Sequence, residues 1–164
     1  MRPIGELIGR YRSTGLLMDT NVLLLYLIGK FDRSRIERFK RTAQFTAEDF
    51  DLLARLLAPF EVLRTLPHVL AEVNSLASQL PEGVLKAFRE HFRAEMGRLV
   101  EDYVRSADAS SRPEFTDVGL TDAAVVYRSL RRYLVLTDDL PLYARLTGLG
   151  VDVLNFTAIR MASL

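Results

Sequence analysis

The order of apolar runs and helical periods predicts an α/β fold, a mainly parallel central sheet flanked by helices on both faces. Three observations support this. Short apolar runs at 16–18 and 133–137 read as strands buried on both faces, and 151–154 as a last strand. Segments with helical spacing lie between them, and Gly, Pro and capping residues punctuate the joins. Residues 16–18 form the first strand and 21–28 a helix, with Gly29 as its C-cap. Thr46 and Asp49 spell a capping box, and Phe50, Leu53, Leu56 and Leu57 follow at helical spacing up to Pro59. Residues 62–65 are a second strand, and Pro67 starts the helix that carries Glu72. Pro81-Glu82-Gly83 ends that helix, a long helix covers 84–105, and 106–113 is a loop rich in Ser, Ala, Asp and Arg. Thr121 caps a helix over 122–132, Pro141 starts a short helix ending near Gly148, and 151–154 closes the sheet.

Composition bounds the function classes. A chain of 164 residues, 49% of them apolar, can bury one core and is short for two, so residues 1–164 are expected to form a single domain. With no cysteine, disulfides, thiolate zinc sites and thiol nucleophiles are excluded; with only His68 and His91, so is a His-rich metal site. Residues 1–6 contain no apolar signal region, and the longest apolar run, 22–28, falls short of a membrane span. A soluble cytoplasmic protein with no membrane partner is expected. The net charge of +1 provides no global attraction to nucleic acid, so RNA binding would need local basic clusters.

Acids at the edges of apolar runs carry the chemistry. Asp19 follows Gly15-Leu16-Leu17-Met18, Glu72 lies in Val69-Leu70-Ala71-Glu72-Val73, Asp122 in Leu120-Thr121-Asp122-Ala123-Ala124, and Asp138-Asp139 ends Val135-Leu136-Thr137. Alone, each has a structural explanation. Asp19 suits a helix N-cap, Glu72 a solvated helix face, Asp122 the first turn of a helix, and Asp138-Asp139 a turn before Pro141. Together, near the carboxyl ends of parallel strands where such sheets bind ligands, they make an oxygen-only donor set suited to Mg2+ or Mn2+.

In order and local wording, Asp19-Thr20-Asn21, Val69-Leu70-Ala71-Glu72-Val73, Leu120-Thr121-Asp122-Ala123-Ala124 and Leu136-Thr137-Asp138-Asp139 resemble the PIN-domain family of metal-dependent ribonucleases, over about residues 16–156. The resemblance implies a three-layer PIN-like fold with Asp19, Glu72, Asp122 and Asp139 as the four acids of the site. It also implies that Asn21 holds the first acid and its water, and that Thr137 does similar work beside Asp139. Asp138 stands where the family commonly has Asn, which leaves open whether Asp138 or Asp139 ligates. Strand alternation predicts Thr137 and Asp139 on one side and Asp138 on the other. About fifty residues separate Asp19 from Glu72, which implies a helical insertion over about 31–59.

The implied activity is Mg2+ or Mn2+ dependent hydrolysis of RNA phosphodiester bonds, with water as nucleophile and no covalent intermediate. Many small stand-alone PIN proteins of bacteria are toxins of VapBC-type pairs and commonly dimerise, so the expected partners are RNA, an antitoxin protein and a second copy of the chain. The basic run Lys30, Arg33, Arg35, Arg38, Lys40, Arg41 reads either as a phosphate-tracking groove or as a solvated helix face, and Arg128, Arg131 and Arg132 form a second patch. His68 reads as a surface or capping residue and His91 as exposed on the long helix. The rival from another class is a catalytically silent PIN-like RNA-binding or scaffold domain. A small-molecule phosphohydrolase fits less well, because Asn21 stands where its second Asp is needed and no Gly-rich phosphate loop is present.

Overall fold

A computed structural model describes residues 2–130 and 132–163. Five strands, β1 (Leu16–Met18), β2 (Leu63–Thr65), β3 (Val100–Glu101), β4 (Leu134–Thr137) and β5 (Val153–Asn155), form one sheet in the order β3-β2-β1-β4-β5. Every pair is parallel, with Leu16 opposite both Leu63 and Leu134, and Thr137 opposite Asn155. β1 and β4 are buried along their whole length, which is why they appear in the sequence as unbroken apolar runs.

The helices are α1 (Ile4–Tyr11), α2 (Thr20–Phe31), α3 (Ala47–Leu57), α4 (Pro67–Ala77), α5 (Glu82–Met96), α6 (Ser106–Ser110), α7 (Phe115–Ser129), α8 (Leu140–Gly148) and α9 (Phe156–Ala162). The chain leaves β1 toward β2 in one direction and reaches β4 on the other side of β1. Right-handed crossovers in opposite directions place helices on opposite faces, giving the three-layer α/β arrangement. α2 packs with α3, α4 and α5, while α7 packs with α6 and α8. The reversal of strand order puts a crevice between the carboxyl ends of β1 and β4, where sheets of this kind receive ligands. No helix among the described residues is long and apolar enough to cross a membrane.

Several elements differ from expectation. Gly29 does not cap α2 but lies inside it, buried, and Asp32 is the C-cap. A Cβ at Gly29 would fall inside the Phe50 ring, so glycine is needed there for the close approach of α3. Gly29→Ala should therefore destabilise the fold by about 1–3 kcal/mol in denaturant unfolding. The helix expected over 84–105 stops at Met96 with Gly97 as C-cap, and Val100 and Glu101 form the sheet's edge strand. Residues expected in a loop at 106–113 contain the single-turn helix α6. Thr121 does not cap the helix carrying Asp122. The break is at Gly119, whose φ of 80° a glycine adopts without strain, and Thr121 lies within the helical segment that follows. α1 and α9 were not anticipated, and between α2 and α3 lie a short 3-10 turn, Arg33–Arg35, and a series of turns.

Candidate functional site

Asp19 leaves β1 at its carboxyl end and caps α2. Its Oδ1 accepts the Val22 N–H at 3.1 Å, and its Oδ2 accepts the Thr137 hydroxyl from the end of β4. The Thr137 oxygen in turn accepts the Asp139 N–H at 2.9 Å. One hydroxyl thus links both strand ends, accepting from the Asp139 backbone and donating to Asp19. Asp139 caps α8 through the Leu142 N–H at 2.7 Å, which engages only its Oδ1. Capping and site geometry are therefore not alternatives for these two acids: the caps fix carboxylates at the mouth of the crevice.

The electrostatics show which acids face one another. Asp19 is only 5% exposed, and burial, then the Asp138 charge, push its carboxyl up to about 8, with Asp122 adding to the rise. Asp122 is raised to about 6 by burial, then by Asp139 and Glu72. Burial also raises Asp138, with Asp139 contributing, while Asn21 and the charge of Arg160 pull the other way. Asp122 is thus the common neighbour that joins Asp19, Asp139 and Glu72. Glu72 is exposed on α4, and its charge reaches the group through Asp122.

Asp138 is not turned away from the group as strand alternation predicts. It is the acid acting most strongly on Asp19, whereas Asp139 acts on Asp122, because the chain bends at Asp138 just beyond β4. Asn21 stands beside Asp138 rather than Asp19, both of whose oxygens already have donors. It leaves Asp138 Oδ1 buried without a hydrogen-bond partner. Arg160, which the sequence did not single out, is the cation whose charge reaches Asp138; it is held by Asp49 at 2.6 Å and the Gln44 carbonyl at 3.0 Å.

None of Asp19, Glu72, Asp122, Asp138 and Asp139 forms an ion pair among the described residues. Among those residues, no three His, Cys, Asp or Glu side chains stand close enough together to hold an ion in this conformation. The acids act on one another across a wider gap. The donor set still fits Mg2+ or Mn2+: it is all oxygen and mutually repelling, and it includes a buried carboxylate oxygen that no protein donor satisfies. Mg2+ typically retains several waters and takes only one or two carboxylates directly.

The basic run does not form a free cationic groove. Lys30 pairs with Glu95, Arg33 with Asp51 and Arg35 with Asp32, while Arg41 bonds Gln79 and Arg38 bonds Ser34; Lys40 is exposed. In the second patch Arg128 pairs with Asp102, Arg132 is exposed, and Arg131 lies outside the described residues. His68 is half-buried against Ser106 Oγ at 2.9 Å. His91 is not exposed as expected but packs against the Phe31 and Phe88 rings. No protein-family model matches the chain, and no curated protein matches it.

Proposed function

We propose that the protein is a PIN-like, Mg2+ or Mn2+ dependent nuclease acting on RNA, with Asp19, Glu72, Asp122 and Asp139, joined by Asp138, as its acidic centre. The observation that carries this reading is Asp19: a carboxylate 5% exposed, at the reversal point of a parallel sheet, surrounded by acids and without a cation. Such a group raises the energy of the folded state unless a positive ligand compensates it. Most other buried or half-buried acids of the chain have an arginine or lysine partner.

A divalent cation bound there would activate a water and stabilise charge on the scissile phosphate. The chain's own residues hold the acceptors. Thr137 holds the Asp19 carboxylate through its hydroxyl while accepting the Asp139 N–H, and the Leu142 N–H leaves Asp139 Oδ2 available. Asp122 and Glu72 extend the acidic wall from two helices. Purified protein is expected to cleave RNA with Mg2+ or Mn2+ and not with EDTA, and Asp19→Asn to abolish cleavage while the circular dichroism spectrum is kept. Metal-independent cleavage, or full activity in Asp19→Asn, would exclude the mechanism.

The rival reading, a silent RNA-binding or scaffold domain, draws on the absence of three tightly convergent acids among the described residues. It predicts RNA binding that Mn2+ neither strengthens nor converts to cleavage. An antitoxin and a second copy of the chain remain the protein partners we propose; sedimentation at micromolar concentration tests the latter.

A further inference from the structure

At the other end of the sheet, the amino ends of β4 and β5 and helix α1 enclose a cavity of about 320 Å3. Three arginines line it, Arg2, Arg10 and Arg132, with Tyr11, Tyr133 and a single acid, Asp152. One oxygen of that acid collects three donors: Arg2 Nη1 at 2.8 Å, Tyr11 Oη at 2.8 Å and Arg10 Nη1 at 3.3 Å. Arg132 is exposed and has no acid partner among the described residues.

The geometry points to a binding site for a phosphate monoester dianion. Donors from two arginines and a tyrosine already converge on one anionic oxygen, which is the arrangement that recognises oxyanions. Asp152 offsets one of the three guanidinium charges, and Glu6, 3.7 Å from Arg2 Nε, offsets part of a second, so the lining retains an excess of positive charge that favours a phosphate ester at neutral pH. Each guanidinium has five N–H groups, so Arg2 and Arg10 keep donors beyond those given to Asp152. The volume lies at the small end of ligand clefts, enough for a phosphate and a compact attached group. β4 alone puts about 13 Å between this cavity and the acidic centre, at about 3.3 Å per residue. The two sites are distinct, and this one stands whether or not the nuclease reading does.

Calorimetric titration of the full chain at neutral pH and constant ionic strength, with inorganic phosphate as the probe, tests the site. Wild type should bind saturably at one site. Arg132→Ala, an exposed change that leaves the fold's ion pairs intact, should weaken binding at least tenfold. Asp152→Asn keeps an acceptor for the three donors and removes the competing charge, so it should tighten binding severalfold. Adenosine monophosphate and RNA oligomers with a 5′-phosphate or a 5′-hydroxyl then identify the source. A 5′-phosphorylated oligomer binding tighter than phosphate, through Arg132, indicates a nucleic-acid end; equal affinity indicates a free phosphate or small ester. No saturable binding by wild type, or phosphate affinity unchanged in both variants, would overturn the assignment.

Discussion

Two acids that follow strands of the same parallel sheet, β3 and β1, meet opposite fates. Asp102, just beyond β3, is held between Arg64 at 3.3 Å and Arg128 at 3.4 Å, and both guanidiniums lie over the Tyr133 ring. Asp19, just beyond β1, is buried more deeply, accepts only the uncharged Val22 N–H and Thr137 hydroxyl, has no cationic partner among the described residues, and is neutral or charged according to pH. The first acid is part of what holds the sheet together. The second is tolerated at a cost, which is the pattern of a group kept for binding. Removing the charge should therefore have opposite effects at the two places.

The largest difference is expected from removing each charge. Asp102→Ala leaves two partly buried guanidiniums without their carboxylate and should destabilise the protein by about 2–3 kcal/mol, somewhat below the loss seen for fully buried pairs. Asp19→Asn should instead stabilise the metal-free protein at pH 8 by about 1–2 kcal/mol, since the amide still accepts from Val22 and needs no charge in the interior. Urea unfolding of both variants at pH 8 gives the two signs; the same sign would break the comparison.

Lowering the pH sharpens it. Asp19 and Asp122 hold their protons more tightly folded, to about 8 and about 6, than an unfolded aspartate near 3.9. Between those values the folded state carries more protons than the unfolded one, so stability is greatest below about pH 4 for these groups and falls as pH rises toward 8. Metal-free wild type should lose on the order of a few kcal/mol over that window from these groups, and Asp19→Asn should show a shallower slope with little gain at pH 5. A wild-type slope of the opposite sign in that window would show that burial and neighbouring charge do not hold protons on these two acids.

The smallest effect separates the paired acids. Because Asp138 acts on Asp19 and Asp139 on Asp122, Asp138→Asn should lower the carboxyl midpoint of Asp19 and Asp139→Asn that of Asp122. Carbon-detected NMR titration of the aspartates reads this directly, and interchanged responses would reverse the pairing.

Legibility followed the range of the interactions. β1, β4, the Asp19 cap of α2, the Thr46 and Asp49 capping box and the Pro67 start of α4 are local signals, and each was readable. β3 was not, because two exposed residues have neither alternation nor an apolar run, and Leu99 and Val104 prolong the helical period past Gly97. Gly29 reads as a cap until α3 is known to pack on it. The candidate acids were legible as residue types, Asp19 and Asp139 at strand ends and Glu72 and Asp122 on helices. Which acids have cations was not, since Arg64 and Asp102 lie 38 residues apart and Lys30 and Glu95 65 residues apart.

The central claim is that the acids around Asp19 lack a cation that the folded site is built to accept. Thermal unfolding of metal-stripped protein with increasing Mn2+ tests it most directly. The account predicts a saturable rise in melting temperature for wild type, as mass action on the folded state requires, and its loss in Asp19→Asn. A melting temperature indifferent to Mn2+, or an equal rise in Asp19→Asn, would contradict it.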